Sequence, residues 1–372
     1  MGVLFGIMSE ETAKMREEIE LESKGGRAIA WYRTKIDSTT LKKMHQRSDL
    51  RGFLQTFGWL ATMGTTMGLA LYSFGHWNPL ATVGLTFLHG MVCAFMINGV
   101  HELCHNTVFK SQWLNAFFVR VLSFFGWINF RTFESSHLRH HRYTLHQPDD
   151  LEVTVPIKLM LAHMFKQGII NPIWAYHHIG NTIKTARGQF QGEWENRLFP
   201  TSDPENQKLP IYWARTMLIG HLIILVISII KGWWLLPVLV SANQWYGGWL
   251  FWFCNNTQHV GMRDAVPDFR KCCRTFTLNP VFQFLYWHMN YHIEHHMYAA
   301  VPCYNLGKLH KAIKHDLPPI THGLVPTWKE ILGILKKQEQ DPTYQYDAPC
   351  PVAVLRERPK AAVSQVAEPA NT

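Results

Sequence analysis

The sequence predicts an all-α integral membrane bundle: four transmembrane helices in two hairpins, beneath a cytosolic cap rich in histidine. Three observations predict it. The 372 residues are 47% hydrophobic but only 17% charged, whereas a soluble domain usually carries about 25% charged residues. The apolar residues fall in blocks near the roughly 20 residues that a helix needs to cross a bilayer. The 21 histidines pull the mean hydropathy down to −0.09, so the blocks alternate with polar, histidine-bearing segments.

Residues 1–51 are polar with both charge signs mixed, and read as a cytosolic arm with some helix. Gly52 to Phe74 is the first expected crossing, GHWNP a turn, and Leu80 to Val100 the second. Trp113 to Phe130 is apolar but short and contains Asn115 and Arg120, which suits a helix lying in the interface. Arg131 to Leu209 is polar and reads as cytosolic. Ile211 to Ile230 is the third crossing, Lys231-Gly232 a tight turn, and Trp233 to Cys254 the fourth despite Pro237 and Asn243. An amphipathic helix is expected near Trp328 to Lys337, and a disordered tail over residues 341–372. The membrane domain is thus expected over residues 52–340.

The two short turns hold a single lysine, and nearly all other Lys and Arg lie in the arm, the middle loop and the C-terminal region. The positive-inside tendency puts those three in the cytosol. The net charge of +9 comes with no dense basic run, so a basic cytosolic face explains it better than nucleic acid. The seven cysteines have no framework spacing and no CxxC, and are expected as free thiols. The N-terminus is too acidic for a secretory signal, and MGVLFG lacks the Ser/Thr of a myristoylation signal.

The second crossing ends in HELCH, which puts His101 and His105 at i and i+4 on one helix face. HLRHH gives His137, His140 and His141, and HIEHH repeats that spacing with His292, His295 and His296. Just past the fourth crossing, NNTQH supplies Asn255 and His259. Topology alone brings all four motifs to the cytosolic membrane surface. Eight clustered histidines exceed the four ligands of one zinc, so they imply two metals. Imidazole suits zinc, copper, iron or nickel. Haem would need one or two axial histidines, and a mononuclear oxygenase two with one carboxylate.

HELCH, HLRHH and HIEHH, set around two apolar hairpins, resemble the three histidine boxes of the membrane fatty acid desaturase family. The resemblance implies two non-haem irons, with His101, His105, His137, His140, His141, His292, His295 and His296 as ligands. It implies a ninth ligand at His259, and Asn255 holding a metal-bound water. It further implies an O2-dependent oxidase that introduces a double bond into a fatty acyl chain or acyl lipid. The same family includes hydroxylases and ketolases of apolar or amphiphilic substrates, the alternative outcome. No HPGG-type segment is present, so electrons are expected from a separate cytochrome b5-type or ferredoxin-type donor. The membrane would be the endoplasmic reticulum in a eukaryote and the inner membrane in a bacterium.

Metal-bound histidine normally gives its second N–H to a carboxylate or carbonyl. Asp149, Asp150, Glu102 and Glu294 are candidates for that task, as are His146 and His288 for an outer role. Trp245, Tyr246, Trp249 and Trp252 read as packing or an aromatic belt, with channel walls as the alternative. The remaining histidines, His89, His221 and His310 among them, lack cluster spacing and are assigned no metal role. A histidine-rich transporter is disfavoured because the crossings carry few ionisable groups.

Overall fold

A computed structural model describes residues 28–154, 159 and 168–351. It is mainly helical. In chain order the helices are α1 (Ser38–Met44), α2 (Asp49–Ser73), α3 (Pro79–Cys93), α4 (Met96–Cys104), α5 (Gln112–Phe125) and α6 (Phe130–Tyr143). They continue with α7 (Pro172–Ala186), α8 (Gly192–Leu198), α9 (Pro204–Lys231), α10 (Leu235–Ser241), α11 (Trp249–Asn255) and α12 (Phe269–Cys272). The last four are α13 (Pro280–Leu285), α14 (His292–Met297), α15 (Cys303–Ile313) and α16 (Leu324–Gln340). Two short strands, β1 (Phe276–Thr277) and β2 (Thr321–His322), pair in parallel.

The helix boundaries follow local chemistry. Ser48 caps α2 by accepting from the Arg51 N–H, and Asn78 and Pro79 open α3. Gly232, at φ +68°, ends α9 in the left-handed conformation that glycine adopts without strain. Helices α2 and α3 pack against each other as a hairpin. Among the described residues, two helical segments are long and apolar enough to cross a membrane: Pro79–Cys104, which is α3 and α4 together, and α9. The count is three if α5 and α6, bent by 110° at their junction, form one span. The stretch expected to lie in the interface is therefore α5, and it turns sharply into the helix that carries HLRHH.

The fourth apolar stretch is not one helix. It forms two seven-residue helices, α10 and α11, with residues 242–248 between them. Backbone groups freed by a break in apolar surroundings must find partners, and they do. His89 donates Nε2–H to the Leu239 carbonyl (3.0 Å) and Trp127 donates to the Ser241 carbonyl (2.7 Å), while Gln244, within the break, donates to the Cys93 carbonyl at the end of α3 (3.0 Å). His221 bonds the Ser241 hydroxyl through Nδ1 and the Phe124 carbonyl through Nε2, with its ring stacked between Phe124 and Trp127. The isolated histidines of the apolar stretches thus stitch a broken helix to its neighbours.

The break also brings backbone unusually close to α3. A Cβ on Gly90 would lie 2.4 Å from the Tyr246 ring and 2.5 Å from the Tyr246 carbonyl oxygen. Gly90→Ala should therefore destabilise the protein by about 1–3 kcal/mol, the usual cost of overpacking. A lowered melting temperature in detergent would register it; an unchanged one would mean the contact is slack.

The buried core joins the long helices to the cap: Trp59 of α2, Cys93 of α3 and Met96 and Leu103 of α4 belong to one cluster with Phe276, Trp287, Met289 and Leu306. The arm is docked onto this cap: Trp31 stacks on Phe269 at 4.1 Å, and the Thr34 hydroxyl donates to Asp316 (2.7 Å). Helix α16 covers the amphipathic segment anticipated near Trp328 to Lys337 and extends it at both ends. The expected disorder of the tail does not hold for residues 341–351. There the Tyr346 N–H donates to the Gly261 carbonyl (2.8 Å), and Asp347 pairs with Lys271 (2.8 Å) and Arg263 (3.2 Å). The physical reason is that this short segment finds backbone and charge partners on the cap. Residues 352–372, and residues 1–27 of the arm, lie outside the described residues. All seven cysteines are free thiols.

Candidate metal centre

Helix α4 carries His101 and is capped at its C-terminus by His105, α6 carries His137, His140 and His141, and α14 carries His292, His295 and His296. His259 lies four residues past the end of α11, in a turn. These nine side chains gather into two groups that could each hold a metal ion. One is His101, His105, His137, His141 and His295; the other is His140, His259, His292 and His296. Within each group the ligand atoms lie within 4.8 Å of one another.

The division runs through the motifs rather than between them. On a helix, i+3 sits about 100° from i+4, so a histidine triplet at i, i+3 and i+4 faces two ways. In HLRHH, His137 and His141 join the first group while His140 joins the second. In HIEHH, His292 and His296 join the second group while His295 joins the first. Each triplet therefore contributes to both groups, which holds the two side by side.

Several rings are oriented from behind through Nδ1. Asp150 Oδ2 accepts from His140 (2.8 Å), Glu152 Oε1 from His137 (2.8 Å), Glu102 Oε1 from His101 (3.1 Å), and the Cys272 carbonyl from His259 (2.8 Å). Thr144 Oγ1 donates to the His140 carbonyl and accepts from His296 Nδ1 (3.2 Å). A neutral ring that donates through Nδ1 presents a bare lone pair at Nε2. The Nε2 atoms converge within each group: His292 Nε2 is 2.9 Å from His259 Nε2 and 3.1 Å from His296 Nε2, and His295 Nε2 is 3.0 Å from His141 Nε2.

Burial pushes the His259 imidazolium pKa down to about 3 and holds His292, His295 and His296 well below the usual histidine range, with neighbouring imidazoles adding to the effect. These four rings are thus held neutral and ready to donate electron pairs, whereas at His140 the effect of burial is outweighed by the Asp150 carboxylate and the pKa is raised. His259 and His296 are held through Nδ1, so both present an Nε2 lone pair to His292 Nε2, which has at most one proton to give. In the first group, Nε2 of His101 and of His137 is buried with no hydrogen-bond partner. Buried polar atoms without partners are costly, and a cation between them removes that cost. The residues therefore fit a metal in each group. An all-imidazole donor set suits iron, zinc, copper or nickel.

The outer candidates separate. Asp150 is fully buried, and besides His140 it accepts from the Leu145 N–H. Asp149 is half-buried and gives its backbone N–H to the His146 carbonyl. Glu102 stands between His101 and His295, 3.5 Å from the latter's Nδ1. Glu294 points away from both groups, accepting from Thr275 and from His310 (both 2.5 Å). His146 bonds the Tyr143 and Thr144 carbonyls behind α6, and His288 bonds Gln283 (2.8 Å). Asn255 lines a cavity of about 240 Å3 together with Glu152, Gln258 and His259.

Trp245 and Tyr246 border an apolar cavity of about 770 Å3. That cavity reaches α3 no closer than Phe87, roughly 20 Å along the helix from His101. Trp249 packs at Gly168, and Trp252 joins a small cluster around Trp328. Sequence reasoning missed Glu152 and the Cys272 carbonyl. Glu152 follows Asp149-Asp150 closely, so the acidic run PDDLE was its signal; a backbone carbonyl leaves none.

A sequence description of the family "Fatty acid desaturase" matches residues 76–328, a range that contains all nine histidines. No curated protein matches the chain.

Proposed function

Because the chain belongs to the fatty acid desaturase family, and is therefore an oxidoreductase of the membrane-lipid context, we propose that it is a non-haem di-iron, O2-dependent enzyme that introduces a double bond into a fatty acyl chain or acyl lipid. The observation that carries this reading is the pair of buried imidazole groups, each with its donor atoms within 4.8 Å of one another. One iron would be held by His101, His105, His137, His141 and His295, the other by His140, His259, His292 and His296, with Asn255 holding a water beside the second. When bound, the irons supply reduction of O2 and an oxidant able to take hydrogen from an unactivated C–H bond.

The chain's own residues do the rest. Asp150, Glu152, Glu102 and the Cys272 carbonyl fix ring orientation, so Nε2 lone pairs are aimed before metal binds. Phe133, stacked on His137 at 5.2 Å, and Phe269, 5.5 Å from His296, keep bulk water from the rings. Four membrane crossings with the site on the cytosolic side suit the charge distribution, and electrons come from a separate protein of acidic surface.

Mass spectrometry of lipids from cells with and without the protein tests the reaction. The reading expects a product two hydrogens lighter than its precursor, formed only with O2. A product heavier by one oxygen would assign hydroxylation instead.

A further inference from the structure

We infer that the C-terminal segment from Trp328 onward is a strap that positions the second histidine group, and that Arg274 is the positioning residue through which it acts. The inference rests on the metal reading above. His259 sits in a turn, where backbone carbonyls have no helical partners and must find others. Arg274 supplies them. It is 5% exposed, and its Nη1 donates to the Thr257 carbonyl (2.7 Å) and the Val260 carbonyl (3.1 Å). Its backbone N–H donates to the Gln258 carbonyl (2.8 Å). One residue therefore grips three carbonyls of the turn that flank the His259 ring, while the Cys272 carbonyl, two residues earlier, holds the ring itself.

The strap completes the grip. Glu330 on α16 accepts from Arg274 Nε (3.1 Å) and balances its buried charge. Trp328 donates to the Phe253 carbonyl (2.9 Å), and Ile334 closes on Gly261, where a Cβ would lie 2.4 Å from Ile334 Cγ2. The Tyr346 N–H then donates to the Gly261 carbonyl. Glu330, Ile334 and Tyr346 all lie past residue 328, where the family match ends. Every one of these contacts falls on residues 253–261 or on Arg274, and of the nine histidines only His259 lies there. Loosening the strap should therefore release one metal and spare the other. Lysine cannot replace the arginine, because one ammonium does not reach both the two carbonyls held by Nη1 and the Glu330 carboxylate held by Nε.

The test is iron content of the purified full-length chain, with Mössbauer spectra to separate the two sites. Arg274→Lys and the milder Glu330→Gln are each expected to lower the affinity of one iron roughly 10- to 100-fold, giving about one iron per chain where the parent holds two. The exposed Lys208→Gln variant should keep both. Retention of two irons with an unchanged spectrum in a folded Arg274→Lys or Glu330→Gln protein would overturn the strap while leaving the metal reading intact. Parallel loss of both irons would also overturn it, by showing general destabilisation. A parent chain without iron would overturn the metal reading and the strap together.

Discussion

His295→Ala is expected to abolish turnover while leaving the protein inserted in the membrane. His295 is fully buried, with Nε2 3.0 Å from His141 and Nδ1 3.5 Å from Glu102. It is the one residue of HIEHH that reaches the first group, so it ties the motif on α14 to those on α4 and α6. Alanine removes a donor and leaves Glu102 beside a void. The loss should exceed the roughly 10- to 100-fold typical of an outer partner, because a ligand itself is gone. Insertion depends on the apolar stretches, which this change does not touch. His288→Asn is the contrast. Its ring bonds Gln283 rather than either group, and asparagine tolerates the left-handed backbone found there at φ +60°. Lipid product analysis of the two variants checks both, and full activity in His295→Ala would refute the first group as a metal site.

Asp150→Ala should lower metal affinity or activity roughly 10- to 100-fold and destabilise the cap as well. The carboxylate accepts from His140 Nδ1 and the Leu145 N–H with one oxygen, and from the Glu152 N–H with the other. Alanine leaves these donors without their acceptor in a buried setting, at a cost of about 1–3 kcal/mol for each. Asp150→Asn keeps one oxygen, for one of the two backbone donors, and should destabilise less than alanine while still weakening metal binding. Iron titration and thermal melts of the two variants separate the effects. Equal metal affinity in parent and Asp150→Ala would show that His140 needs no partner behind it.

Much of the site could be read from the sequence because its information is local. The repeated i, i+3, i+4 spacing of HLRHH and HIEHH is visible without a structure. What the spacing could not reveal was the split of each triplet between two groups, which depends on how α6 and α14 face each other. Glu152 escaped notice because its partner lies fifteen residues back across a turn. The fourth apolar stretch looked like one helix because composition reports hydrophobicity and not continuity. Its break is set by Gly247, at φ +72° against α3, and by the distant side chains of His89, Trp127 and Gln244. The grip of residues 328–346 on the His259 turn was equally hidden, since it joins segments 75 to 85 residues apart through backbone carbonyls that carry no residue signature.

The most direct test of the central claim is metal analysis of the full-length protein purified from iron-supplemented cells. About two irons per chain are expected, lost on chelation together with O2-dependent product formation and regained together on adding ferrous iron. Zinc alone, with no O2-dependent product, would contradict that claim.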